Sequence, residues 1–363
     1  MKQLVNIARV IVGSLFIFSG LVKAIDPLGL AYKMQEFFEA WAASGFIKDL
    51  MLWLHGQALL FSIIMITLEV VLGIALLLGW QKKWVSYLLL LLMLFFTFLT
   101  SYVLFSGKIR ACGCFGDCIP LSPIQTFIKD IVLTALVLLI LIGRKYINPL
   151  FSNKPGLIFS LISLFAILGL QWYVLQHLPL KDCLPFKVGN NILQLRKMPA
   201  DAVADKFDYK FIYQKNGEKK EFSVNALPDS TWQFAERKQV LIEKGKNNIP
   251  LINDFILNTQ SGNDTTEAIL NQPGEYYLLF AKGFTDTKET WLNDFNLFVA
   301  KSTIPVYVVT ADAKKAALQL QNPAVPIFTC DATAIKTAAR VNPTLFLMKG
   351  PIVKNKWAAK DKF

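Results

Sequence analysis

A chain of 363 residues with 54% hydrophobic residues, 13% aromatics and a mean hydropathy of +0.42 is too apolar for an ordinary soluble protein. Its net charge of +12 is spread over both halves, 13 Lys and Arg against 7 Asp and Glu up to Leu180 and 25 against 19 from Lys181 onward. No Arg and aromatic clusters accompany that charge, which excludes a nucleic-acid stripe and leaves topogenic charge plus a solvated basic surface.

Five apolar segments reach the roughly 20 residues needed to cross a bilayer: about Val5 to Ile25, Ala58 to Gly79, Trp84 to Phe105, Ile124 to Ile147 and Leu157 to Gln176. The first is longer than the apolar core of a cleaved signal peptide and lacks an A-x-A site, so it reads as an uncleaved span. Between the first two, Leu30, Met34, Phe37, Phe38 and Trp41 share a helical face, the pattern of a helix lying in the interface or of a packed connector. Lys82 and Lys83 mark one short loop and Arg144, Lys145 and Lys154 another. By the positive-inside rule these face the cytoplasm with Lys2 and Arg9, and the carboxyl-terminal half lies outside.

Three of the five cysteines fall in RACGCFGDCIP, residues 110–120, on the same outer side, where disulfides persist. Arg110 and Lys108 would lower a thiolate pKa there, and Gly113 and Gly116 permit a tight turn. Bridging Cys112 or Cys114 to Cys118 is easier than bridging Cys112 to Cys114. Cys183 supplies a fourth thiol, in a phrase DCLPF that echoes DCIPL at Asp117 to Leu121. The four cysteines are therefore candidates either for a thiol relay or for static bridges that staple the loop to the base of the outer domain. A four-thiolate metal site is disfavoured because C-x-C-x3-C is not a zinc spacing. Within the spans, Glu69 sits near the bilayer centre and demands a partner or a function, with Lys23 or Lys129 as the expected partner. Asp130 stands beside Lys129 at the start of the fourth span.

The phrases FIFSGLVKAIDP (16–27), LEVVLGIALLLG (68–79), CGCFG (112–116) and KDIVL (129–133) resemble the DoxX superfamily, and within it the methylamine-utilisation MauE branch, over about residues 1–150. That resemblance implies a small inner-membrane bundle associated with redox maturation of envelope proteins.

After His177 the composition becomes that of a soluble domain. FIYQ and EFSV flank KNGEKK as a hairpin; NDFIL, YYLLFAK, IPVYVVTAD and TLFLMK read as strands, and TKETWLNDFNLFVAK and ATAIKTAAR as helices. This order, with VNPTLFLMKGPIVKNKW, resembles the thioredoxin superfamily, particularly TlpA-like or redoxin-like envelope members, over about 249–358. The resemblance implies a cis peptide before Pro343 and a partner-binding surface beside it. Where such domains carry C-x-x-C, this chain reads GFTDTKETW, and Cys330 is expected to be a small buried residue.

The predicted fold class is thus a membrane α-helical bundle of about five spans followed by a soluble α/β domain resembling thioredoxin without its C-x-x-C motif. It divides into a bundle (1–150), a fifth span (151–180), a β-rich connecting segment (181–248) and the final domain (249–363). The expected function is a thiol–disulfide or maturation factor of the bacterial inner membrane, its carboxyl-terminal domain periplasmic and recruiting an exported client protein. The alternative is a non-enzymatic accessory subunit with structural disulfides. No cofactor is evident; a bundle with a loop dithiol also suits a quinone-coupled oxidase, a weaker variant for which no sequence feature specifies a quinone pocket.

Overall fold

Runs of more than twenty apolar residues have no polar stripe to turn toward water, so their backbone groups bond within a helix and their side chains face one another or lipid. A computed structural model of the chain describes every residue except 46, 110–112, 114, 115, 244, 285–289, 321 and 363. It contains helices α1 (Lys2–Ala24), α2 (Pro27–Ala43), α3 (Lys48–Gly56), α4 (Ala58–Leu78), α5 (Lys82–Ser106), α6 (Pro123–Ile142) and α7 (Asn153–Gln176). Five of these, α1, α4, α5, α6 and α7, are long and apolar enough to cross a membrane. Val12, Ile66, Leu89 and Val137 are buried between them, whereas Leu91, Phe98, Ile128 and Phe165 face outward, as lipid-facing side chains do.

Helices α1 and α4 approach closely because glycines meet at their crossing. A Cβ on Gly73 would lie 2.9 Å from the Gly13 carbonyl oxygen. At one end of the bundle Arg9 is buried, donating from Nε to the Leu76 carbonyl at 2.8 Å, from Nη1 to Asn148 at 3.1 Å, and from Nη2 to Leu77. A residue read as topogenic charge therefore satisfies carbonyls at the end of α4 and in the connection after α6.

Asp26 caps α2, accepting from the Gly29 N–H at 3.1 Å, with Pro27 at the first turn. The apolar face of α2 turns inward, the packed-connector alternative. Phe37 and Phe38 are buried, Phe38 packs edge-on against Phe61, and Trp41 meets Phe98.

The chain then forms α8 (Ile192–Leu195) and an antiparallel sheet of β1 (Lys206–Lys215), β2 (Glu218–Ser223) and β3 (Gln233–Glu243) in the order β2-β1-β3. The hairpin turns at Asn216 and Gly217, both at positive φ. β3 is exposed along its whole length.

The last region comprises α9 (Thr266–Leu270), β4 (Glu275–Ala281), α10 (Leu292–Lys301), β5 (Val306–Thr310), α11 (Ala313–Leu320), β6 (Ile327–Thr329), α12 (Ala332–Ala338), β7 (Thr344–Lys349), β8 (Ile352–Ala358) and α13 (Ala359–Lys362). Its sheet runs β6-β5-β4-β7-β8; β4, β5 and β6 are parallel, and β7 and β8 antiparallel to their neighbours. The Asn342–Pro343 peptide entering β7 is cis. NDFIL, expected as a strand, is irregular: Phe255 and Leu257 are buried, but the Leu257 N–H bonds the Thr266 hydroxyl and its carbonyl the Thr265 N–H. Phe186 and Ile192 from the neck join the core of Phe255, Leu278, Phe280 and Phe346.

Candidate functional site

The cysteine loop and the neck after α7 are joined by a disulfide between Cys118 and Cys183, with Cα atoms 4.9 Å apart across 65 residues of sequence. Cys118 closes a single 3-10 turn, Gly116–Cys118, whose Gly116 N–H bonds the Gly113 carbonyl at 2.9 Å. Both glycines have positive φ, which a side chain would strain. Cys112, Cys114 and Arg110 lie outside the described residues.

Each bridged cysteine follows an aspartate, and each aspartate is held by a cation of the carboxyl-terminal domain. Arg340, only 7% exposed, donates from Nη2 to Asp117 Oδ2 and from Nε to Asp26 Oδ2, both at 2.7 Å. Lys356 Nζ lies 2.7 Å from Asp182 Oδ2. Burial works against the Arg340 charge, but Asp26 and Asp117 outweigh it and its pKa is raised. For Lys356 burial prevails over Asp182, and the pKa is lowered.

Beneath Arg340 lies Tyr32 of α2. Its ring centroid is 5.3 Å from the Arg340 guanidinium, 5.3 Å from Lys336 Nζ and 5.5 Å from Lys282 Nζ. Burial raises the Tyr32 hydroxyl to about 12. Lys282, at the end of β4, donates to the Arg340 carbonyl at 2.6 Å, and its backbone N–H donates to Asn342 Oδ1 at 2.8 Å. Burial, reinforced by Arg340, lowers its pKa to about 7.

Between α2 and α12 opens a cleft of about 550 Å³, walled by Tyr32, Glu36 and Glu39 on one side and by Thr333 and Lys336 on the other, with Cys183 also lining it. An adjoining hollow of about 20 Å³ holds both Cys118 and Cys183 beside Lys33 and Lys181, and shares Lys33, Asp117 and Cys183 with the cleft.

Inside the bundle, Lys23 pairs with Glu69, at 3% and 1% exposure, and Ser19 donates to the other Glu69 oxygen at 3.0 Å. Of the two expected partners the structure selects Lys23. Lys129 instead meets Asp130 at 2.7 Å. Asp130 Oδ2 is buried and has no hydrogen-bond partner among the described residues. These groups surround a cavity of about 20 Å³ with Met93 and Phe96, room for about one water molecule.

Pro343 is buried, and Asn342 presents the exposed surface beside it. A hollow of about 500 Å³ there is lined by Trp291, Asn342, Pro343 and the end of α7. Cys330 is buried and unbridged, its pKa pushed up by burial to about 11. Asp26, Tyr32, Lys282 and Arg340 were not expected from sequence. The repeated Asp-Cys phrase pointed to Asp117 and Asp182, which Arg340 and Lys356 hold, and to none of these four.

Residues 1–143 match the family model described as methylamine utilisation protein MauE, and residues 207–244 match one described as a domain of unknown function (DUF8463). A curated relative, Protein TlpB of Flavobacterium psychrophilum, is 33% identical over 127 residues, 34% of this chain and 32% of that protein. The chain thus spans about a third of the length of this relative. No solved structure matches. Residues 1–143 are thus similar to the MauE family model and contain four of the five helices long and apolar enough to cross a membrane; a domain that contains sheets follows the fifth.

Proposed function

We propose that the protein is an envelope thiol–disulfide or maturation factor in which the membrane bundle carries the exchanging cysteines and the carboxyl-terminal domain recruits an exported client. The observation that carries this reading is the Cys118–Cys183 disulfide, set where the cysteine loop, the neck and the domain meet and lining an open cleft. A bridge buried in a core would brace a fold; a half-buried one beside a cleft can be reached by another thiol.

The carboxyl-terminal domain is read as thioredoxin-like. The order β5-β4-β7-β8, with α10 after β4 and a cis proline before β7, supports this. The segment following β4 contains no cysteine, so its role is recognition and not dithiol exchange. The proposed setting is the bacterial inner membrane, amino end cytoplasmic. Lys82 and Arg144 gather at the Arg9 end, where Lys82 donates to the Ile147 carbonyl, opposite the disulfide. No step of this reading requires a quinone.

The Asp117–Arg340 and Asp182–Lys356 pairs support a second reading, in which the bridge is a permanent brace of an accessory subunit. Rapid acid quenching of cells, alkylation and mass mapping decide between the two. Reversible mixed disulfides at Cys112, Cys114, Cys118 or Cys183 are expected of an exchange factor, and a Cys118–Cys183 bridge oxidised in every molecule marks the brace.

A further inference from the structure

We infer that Cys183 is the sulfur a client attacks, that Cys118 is the leaving thiolate, and that the attacking thiol arrives on an extended polypeptide segment lying in the cleft between α2 and α12. This rests on the thiol-exchange reading above and adds to it the substrate class and the direction of the reaction.

The two sulfurs of the bridge have different surroundings. Cys183 lines the cleft of about 550 Å³, and Cys118 is not among the described residues that line it. Both line the hollow of about 20 Å³, which has room for little more than a water molecule. A thiolate must approach a disulfide in line with the bond, opposite the sulfur that leaves. A thiol in the cleft finds Cys183 and not Cys118 on its wall, so attack from there falls on Cys183 and the sulfur that leaves is Cys118, which lines only the small hollow. Lys181 lines that hollow and not the cleft, and a neighbouring ammonium group favours a thiolate over a thiol.

The size of the cleft falls within the ~300–1,000 Å³ of ligand-holding sites, and its walls suit a peptide better than an apolar molecule. Glu36 and Glu39 line the α2 wall, and Thr333 and Lys336 the α12 wall, so an extended main chain finds polar partners on both sides. The anchored aspartates fit the same task. Asp117 is tied to Arg340 and Asp182 to Lys356, so both cysteines are held in place by contacts that do not depend on the bridge between them.

The exchange balances without a further reagent. The client thiolate forms a bond to Cys183 Sγ, the Cys118–Cys183 bond breaks, and its electron pair stays on Cys118, which leaves as a thiolate. A second client thiolate then attacks the client sulfur of the mixed disulfide and releases Cys183 as a thiolate. The client pair loses two electrons, and the Cys118–Cys183 pair gains them.

The test uses the oxidised full-length protein in lipid nanodiscs and a ten-residue synthetic peptide containing one cysteine. After brief reaction and acid quench, non-reducing digestion and mass spectrometry locate the peptide. At least tenfold more adduct on Cys183 than on Cys118 is expected; equal labelling, or a preference for Cys118, overturns the assignment. In Thr333→Trp and Glu36→Trp, on opposite walls, the ratio of the peptide rate to the dithiothreitol rate should fall at least tenfold. An unchanged ratio in both shows that the peptide does not use the cleft. Failure of peptide to react where dithiothreitol does also overturns the proposal. The outcome is separable from the cellular test: a bridge permanently oxidised in cells defeats the exchange reading even if the peptide reaches Cys183, whereas cellular adducts confined to Cys118 defeat only the present assignment.

Discussion

Arg340 and Asp117 lie 2.7 Å apart, Nη2 to Oδ2, joining a residue just beyond α12 to the one immediately before the bridged Cys118. The same guanidinium reaches Asp26 at the cap of α2, so one side chain ties the carboxyl-terminal domain to two separate parts of the membrane region. Arg340→Met should cost about 2 kcal/mol, reduced from a fully buried loss because Asp117 is 40% exposed. Arg340→Lys should recover less than half of that, since an ammonium cannot fork to two carboxylates as guanidinium does. Thermal unfolding in detergent reads the difference, and a variant as stable as the parent would mean that the contact contributes nothing.

Glu69 and Lys23 are almost completely buried within the bundle. Glu69→Gln leaves the lysine without its countercharge and should lower stability by about 3 kcal/mol, whereas pairing it with Lys23→Met should restore at least half. A double-mutant cycle on detergent-purified protein measures this coupling. Additive losses would show that the two groups act independently.

Reduction of the Cys118–Cys183 bridge should lower stability by about 4 kcal/mol, because the bond closes a loop of 65 residues whose freedom the unfolded chain otherwise keeps. Cys118→Ser should reproduce the unfolding midpoint of the reduced parent. A difference of several degrees between the two would point to a contribution from another cysteine pair.

Lys282 faces Arg340, Lys336, Asp26 and Tyr32, and burial brings its pKa from 10.5 to about 7. Between those two values the unfolded chain holds a proton that the folded one does not, so stability rises as pH is raised from 7 toward 10. Below 7 the cost of charging the buried amine is present in full. Tyr32, at about 12, remains neutral throughout. Unfolding midpoints recorded at intervals from pH 6 to pH 9.5 should climb above 7 in the parent and climb less in Lys282→Met; parallel curves would assign the dependence to other groups.

What the sequence revealed depended on whether the signal was local. The spans were legible because an apolar run of membrane length has few other uses, and Glu69 was conspicuous because a carboxylate in such a run needs a partner. The hairpin at Asn216 and Gly217 was carried by two residues that tolerate positive φ. NDFIL misled because alternating burial of Phe255 and Leu257 imitates a strand, while its backbone bonds go to residues 265 and 266. Arg9 looked like interfacial charge, and only the folded chain brings it to carbonyls near residues 77 and 148. Arg340 lies 223 positions from Asp117, a separation at which no periodicity speaks. The Asp-Cys echo hinted that the two phrases belong together and left their cations unnamed.

The bond between Cys118 and Cys183 also makes a ring of the chain that contains α6 and α7. A single protease cut between those helices, beside the exposed Leu150 and Phe151, would open the ring without dividing the molecule. The two fragments would migrate as one species until a reductant is added. The fifth span is therefore secured to the first four by two covalent routes, one through the connection after α6 and one through sulfur.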